Sequence, residues 1–291
     1  RSMYESMLQQ IALDIYPQRR NEKPGFIERL GSRIFSEPLH NLKHSRMSSR
    51  WFVQMVRNQQ VKLDPLDQQQ LSGEINQLRF QLKSNGLKPR LVARCFALVR
   101  AVAEKEIGMC HRDQQILGGW AMLNNMIAEM KAGEGKTLMA TLPACTAALA
   151  GIPVHIITLN DYFAARDAEL MTPLFEAFGL SVGVSSSAME PEQRRQAYHC
   201  DVVYCTNKQL AFDHLRDRLI LKKYSGQLAL RLAALDRTDV LHEDFMLPGL
   251  CFAIVDEADS VLIDQAITPL IVTRAVDSSS KREVLQQALT L

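Results

Sequence analysis

This 291-residue chain lacks a charge excess of either sign: 34 Lys and Arg face 32 Asp and Glu, for a formal net charge of +2. Such a balance excludes a dedicated nucleic-acid coat protein, which needs a strongly basic surface. None of the six cysteines (Cys95, Cys110, Cys145, Cys200, Cys205 and Cys251) stands in a C-x-x-C pair. They read as free thiols of a reducing compartment rather than as a disulfide framework. Their densest group, His199, Cys200 and Cys205, lacks the second pair that would make a strong zinc pattern. No apolar h-region follows Arg1, so no signal peptide is expected. Internal repeats and low-complexity tracts are also missing. What remains is globular in composition, 47% hydrophobic and 23% charged. That rules out a disordered tail, a collagen-like repeat and a disulfide miniprotein. The length suffices for two domains, or for one large domain with an appendage.

Charge is also absent locally. Residues 137 to 160 hold no Asp, Glu, Lys or Arg over 24 positions, more than the roughly 18 needed to cross a bilayer. Pro143, Gly151 and Pro153 interrupt the stretch, and four threonines and His155 dilute it. Its end, Val154 to Leu159, is rich in β-branched residues. The pattern predicts a buried helix followed by a buried strand, not a membrane span.

Residues 1–108 read as a helical region. Leu71, Ile75, Leu78 and Leu82 fall on one helical face, and so do Leu91, Cys95, Leu98 and Val102. Asn85-Gly86 and Pro89 separate the two helices. Between residues 19 and 50, eight Lys and Arg face three Glu. This surplus fits a solvated helical face, or a contact with anionic lipid or an acidic partner.

From residue 109 strands and helices alternate. Strand-like runs are Met126–Met130, Val154–Leu159, Leu180–Val184, Val202–Thr206 and Leu250–Val255, with helical segments Thr137–Ala150, Tyr162–Phe178 and Pro191–His199 between them. The alternation predicts an α/β fold with a parallel sheet and helices on both faces. Ligands of such folds bind beyond the carboxyl ends of the strands. Ile220–Pro248 is less regular, with one Leu- and Ala-rich helix expected at Leu228–Leu235.

Gly133-Glu134-Gly135-Lys136-Thr137 lies between an apolar run and a helical pattern. This is the context of a phosphate-binding loop. Glycines let consecutive N–H groups point at one anion, and the helix N-terminus adds roughly half a positive charge. Lys136 is expected to reach the β- and γ-phosphates, and Thr137 to place its hydroxyl on Mg²⁺. The full G-x-x-x-x-G-K-[ST] pattern wants a glycine where Met130 stands. Downstream, Asp256 and Glu257 follow Leu250–Val255, which is expected to be a buried strand. Carboxylates there are costly unless they meet a cation. Asp256 is placed to hold the water shell of Mg²⁺, and Glu257 to orient and deprotonate an attacking water.

Asp256-Glu257-Ala258-Asp259 together with this loop resembles superfamily 2 motor ATPases, and the flanking residues narrow the likeness to the SecA family. Ile127 to Thr137 resembles that family's phosphate loop, which also lacks the first glycine. Thr158 to Asp167 is similar to its T-x-N-D-Y-L-A-x-R-D segment, where a DEAD-class RNA helicase would carry P-T-R-E-L-A. Tyr204–Asn207 with Phe212–Asp217 is similar to Y-G-T-N…F-D-Y-L-R-D, with Cys205 in place of the glycine. Gly108 to Gly119 resembles the adenine-reading segment.

The resemblance implies a RecA-like nucleotide-binding domain over residues 109–272, with residues 273–291 opening a protein-binding insert. It implies ATP and Mg²⁺ as ligands. Met109 and Gln115 would contact adenine. Gly133, Glu134, Gly135, Lys136 and Thr137 would hold phosphates. Thr137 and Asp256 would serve the metal, and Glu257, Lys136 and Asp256 the hydrolysis. Asp213 and Arg216 would lie near the linkage to the insert. Implied partners are unfolded preprotein and a Sec-type membrane channel, at the inner face of the plasma membrane. Gln265 and Ile267 replace a Glu and an Arg of the family's I-D-E-A-R-T-P-L, which implies a divergent paralogue. The sequence ends about twenty residues past Thr268–Ile271, before a second RecA-like domain and its arginine finger. Slow turnover is therefore expected of it alone. A helicase fragment and a regulatory or adaptor protein that kept the fold are the alternative readings. Near-neutral charge argues against nucleic acid.

Overall fold

The computed structural model describes residues 46–63, 68–131, 133–221 and 245–264. The basic stretch up to residue 45, the expected helix at Leu228–Leu235, and Gln265 and Ile267 lie outside the described residues. Among the described residues four helices come first: α1 Arg46–Leu63, α2 Gln68–Asn85, α3 Pro89–Glu106 and α4 Asp113–Leu123. Then follow α5 Lys136–Leu149, β1 Val154–Thr158, α6 Asp161–Ala177, β2 Val182–Ser185, α7 Pro191–Tyr198, β3 Val202–Thr206, α8 Asn207–Leu221 and β4 Phe252–Val255. A single π-helical turn, Ser260–Asp264, comes after β4.

The strands form one parallel sheet in the order β2-β3-β1-β4. Helices connect them, giving the α/β, RecA-like architecture that the alternating pattern predicts. β1 and β3 are buried along their whole length, as expected of apolar runs covered on both faces. The uncharged stretch resolves into α5 and β1, and α5 runs through Pro143 without ending. No helix among the described residues is long and apolar enough to cross a membrane.

Two expectations need correction. Met126–Met130 is not a strand. Ile127 is 91% exposed, and among the described residues no neighbouring strand takes up the backbone groups of this run. An apolar run becomes a strand only when a partner satisfies its N–H and C=O groups. Leu250–Val255 forms a strand only over Phe252–Val255, and of its four residues only Ile254 is buried. β4 has β1 on one side and no second neighbour among the described residues.

The helical residues share the core of the sheet. Ile75, Leu78 and Leu82 of α2, and Cys95, Leu98 and Val102 of α3, belong to one apolar cluster with α5, α6 and β1. The three-and-four spacing therefore identifies the buried faces. Arg79 fastens α2 to the end of α6 by donating to the Phe178 and Gly179 carbonyls, at 2.6 and 3.1 Å. These carbonyls have no partner within the helix, so the guanidinium supplies one. A second apolar cluster, including Tyr198, Val203, Cys205 and Leu247, covers the other face of the sheet. Asp217 anchors that side by accepting from the Met246 and Leu247 N–H groups, at 2.8 and 3.0 Å.

Asn160 caps α6, its side chain accepting from the Phe163 N–H at 2.9 Å. Asn160→Ala should lower unfolding free energy by about 1 kcal/mol, measurable as a shifted urea midpoint with an unchanged slope.

Two histidines are sealed in the interior. Burial pushes His155 on β1 down to about 4, with no hydrogen-bond partner at either ring nitrogen. His111 is also lowered to about 4, by burial first and by the Arg100 charge, against a raising contribution from the Leu138 carbonyl. Both are neutral when folded, whereas the unfolded chain takes up protons near pH 6.5. The unfolded state then binds more protons between pH 6.5 and 4, so stability is full above that window and falls through it. Urea unfolding at pH 7 and at pH 4.5 should differ by about 2 kcal/mol per histidine. His155→Leu should remove about half of this dependence, leaving the His111 contribution.

Candidate nucleotide site

Gly135 precedes the first residue of α5, at φ 82°, and Gly133 has the same φ. Both lie in the left-handed region that glycine enters at little cost. Glu134 closes the turn: its N–H donates to the Lys131 carbonyl at 3.2 Å, and its carboxylate accepts from the Lys131 N–H at 2.9 Å. Glu134 thus shapes the loop, and its carboxylate serves the turn. The first turn of α5 contains Lys136 and Thr137 and no acidic residue. Its positive end is therefore left for an external anion.

Asp256 extends β4 by one step, its N–H donating to the Ile157 carbonyl at 2.9 Å. Glu257 then turns out of the sheet at φ 51°, a conformation uncommon for any residue but glycine. Its N–H donates to Asp256 Oδ1 at 3.1 Å, and its carbonyl accepts from the Val261 N–H at 3.0 Å. The turn aims the carboxylate at the loop. Lys136 Nζ donates to Glu257 Oε1 at 3.1 Å, across 121 residues of sequence.

The charges follow from this contact. Lys136 is raised above its ordinary value, chiefly by the hydrogen bond to Glu257 and further by the Asp256 and Asp259 charges. Asp256 is also raised, by burial first and then by its Glu257 neighbour, while the Glu257 N–H and Lys136 pull it back. One ammonium and two carboxylates therefore sit where strand β4 ends and helix α5 begins. Asp256 and Thr137 offer hard oxygen donors of the kind Mg²⁺ prefers. The donor chemistry fits a phosphate and its magnesium.

Of the other site candidates, Gln115 reaches the loop directly. It is buried near the start of α4, and its amide donates to the Glu134 and Gly135 carbonyls at 3.0 and 3.1 Å. Met109 lies just past α3, packed against the apolar core, with its N–H donating to the Ala103 carbonyl at 3.2 Å. His111 escaped the sequence reading. Its Nε2 lies 2.9 Å from the Leu138 carbonyl and 3.1 Å from Thr141 Oγ1, which ties the segment before α4 to α5. A lone histidine in a short loop gives no sequence signal of such a tie.

Asp213, near the implied insert linkage, is fully buried. It accepts from Tyr198 Oη at 3.1 Å and from Gln209 Nε2 at 2.7 Å, and pairs with Arg194 at 3.3 Å. Arg216 is half exposed, 3.8 Å from the same carboxylate.

Comparison with known proteins identifies the family. Residues 35–291 match the SecA DEAD-like domain. The chain is 45% identical over 282 residues to protein translocase subunit SecA 2 of Bordetella avium (strain 197N), covering 95% of this chain and 42% of that protein. It is 40% identical over 286 residues to protein translocase subunit SecA 3 of Magnetococcus marinus, covering 96% and 42%. Against protein translocase subunit SecA of Cellvibrio japonicus it is 40% identical over 229 residues, covering 79% and 23%. The chain thus spans less than half the length of these relatives. With its parallel sheet, its loop at the tip of α5 and a match over most of its length, this chain belongs to the SecA DEAD-like domain family.

Proposed function

We propose that this chain is the N-terminal part of a SecA-like ATPase that couples ATP binding and hydrolysis to the movement of unfolded polypeptides through a membrane channel. Its first nucleotide-binding unit is residues 109–272, after an N-terminal region over 1–108 and before the start of an insert at 273–291. The observation that carries this reading is the Lys136–Glu257 contact. It joins the two motifs at one corner of the sheet, where a triphosphate meets both.

In this reading the N–H groups at the tip of α5 and the Lys136 ammonium bind the β- and γ-phosphates. Thr137 and Asp256 hold Mg²⁺, which neutralises phosphate charge when bound. Glu257 gives up Lys136 to the phosphates, and its freed carboxylate orients the attacking water and accepts its proton. Met109 and Gln115 lie on the adenine side. The partners are unfolded preprotein and a Sec-type channel. The basic residues 19–50 hold the protein to anionic lipid, at the inner face of the plasma membrane.

Titration with a fluorescent ATP analogue and Mg²⁺ tests the reading, with saturable binding that unlabelled ATP competes away as the expected result. A folded chain that fails to bind would favour an adaptor that kept the fold and lost its nucleotide.

A further inference from the structure

We propose that the outer edge of β2, with the groove between it and α6, is a docking surface for an extended segment of another polypeptide, apolar at alternate positions and carrying a Lys or Arg. No residue of this surface belongs to the nucleotide site. β2 ends the sheet, with β3 on its inner side. The Val202 N–H donates to the Ser181 carbonyl at 3.1 Å. Backbone groups alternate in direction along a strand, so Ser181, Gly183 and Ser185 face β3, while Val182 and Val184 turn their N–H and C=O groups outward. No strand among the described residues pairs with that edge.

Edges of this kind are commonly blunted by charge or proline. β2 reads Val182-Gly183-Val184-Ser185 and has neither. An added strand would satisfy the outward groups. Every second side chain of that strand would fall on the α6 side, beside Val182 and Val184.

The α6 side has room for them. Ala165, Ala168 and Thr172 of α6, with Val182, Val184 and Met189, line an open groove of about 590 Å³, a volume typical of ligand sites. The other face of β2 is closed. A Cβ added at Gly183 would overlap the Ala197 carbonyl of α7.

Charge narrows the occupant. Asp161 and Glu169 line the groove, and no Lys, Arg or His does. The Ser187 N–H and hydroxyl both donate to Asp161 Oδ2, at 3.1 and 2.6 Å. They fix the carboxylate just beyond the end of β2. Its other oxygen, Oδ1, is buried and has no donor. Leaving such an oxygen unpaired is costly, and an ammonium or guanidinium from an incoming chain would pair it. Tyr162, 70% exposed, lines the groove next to Asp161 and offers its ring to the same cation. A small amine would leave the strand edge unpaired, and an acidic segment would be repelled. An extended basic and apolar segment satisfies edge, groove and carboxylate together.

The probe is a fluorescein-labelled nine-residue peptide with valine at alternate positions, serine between them, and a lysine in place of the central valine. It is titrated onto the full chain by fluorescence anisotropy, with saturable binding as the expected result. Changing the lysine to glutamate should weaken binding by about 10-fold or more. Two prolines in the peptide should abolish it, since proline cannot donate to a strand. Ala165→Trp fills the groove from an exposed position on α6. It should weaken the lysine peptide by about 10-fold or more, with a melting temperature within a few degrees of wild type. Asp161→Asn combined with Glu169→Gln should bind the lysine and glutamate peptides alike. Amide exchange at Val182 and Val184 should be fast in the free chain and slow once the peptide is added. A wild-type chain that does not bind the lysine peptide overturns the proposal, and so does binding that ignores the change to glutamate or survives Ala165→Trp. Val182 and Val184 amides already protected in the free chain also overturn it, because the rest of the chain or a second copy would then cover the edge. Lys136→Ala should leave peptide binding unchanged, so failure here and failure of the nucleotide reading are told apart.

Discussion

Lys136→Ala is expected to cut the affinity of the chain for Mg²⁺ and a fluorescent ATP analogue by about 100-fold or more. The ammonium would form two charge-assisted hydrogen bonds to phosphate oxygens, each worth about 1.5–3 kcal/mol. Against that gain stands the loss of its contact with Glu257. Both side chains of that pair are partly exposed, 29% and 46%, and an exposed ion pair contributes at most about 1 kcal/mol. Phosphate therefore wins the lysine decisively, and removing the lysine removes most of the gain. The same exposure makes the substitution nearly silent for folding, so a melting curve within a few degrees of wild type should accompany the lost binding. Lys136→Arg should not restore it, because a planar fork does not replace a compact ammonium inside a tight loop. Unchanged affinity in Lys136→Ala would remove the loop from the nucleotide site.

Glu257→Gln is expected to act in opposite directions on binding and on chemistry. Without the carboxylate, Lys136 is no longer held by a competing anion, so the nucleotide should bind up to about 5-fold more tightly. Without the base, single-turnover hydrolysis should fall by about 10²- to 10⁴-fold. Glutamine keeps the side-chain length and is no easier to hold at φ 51° than glutamate, so the change is confined to the charge and the proton acceptor. The combined result is ATP trapped unhydrolysed. Tighter binding with normal hydrolysis would leave Glu257 as a latch on Lys136 and deny it the role of base. Weaker binding would mean that the ion pair is no rival of phosphate.

These two residues also show how far the sequence reaches. Lys136 was legible because the local chain decides what it needs: glycines at two left-handed positions, and a helix that opens on the lysine itself. The helical faces of α2 and α3 were legible for a similar reason, since periodic apolar residues must meet something. Asp256 and Glu257 were legible as acids after a strand. That Glu257 meets Lys136 was not, because only strand order brings positions 121 residues apart together.

Where the reading failed, the missing information was non-local. Met126–Met130 has an apolar composition but no adjoining strand among the described residues, and the Leu250–Val255 run is shorter and more open as a strand than its residues suggest. Composition reports whether a segment can be buried. It does not report whether a neighbour is there to bury it.

The family and the α/β alternation were fixed by order and spacing along the chain, because loop chemistry and strand–helix periodicity are properties of adjacent residues. Tertiary structure alone decided which glutamine donors face the loop and which carboxylate takes the lysine. The physical reason is directional: hydrogen bonds and ion pairs act over about 3 Å, and only the closed sheet with its packed helices sets distances on that scale between remote residues.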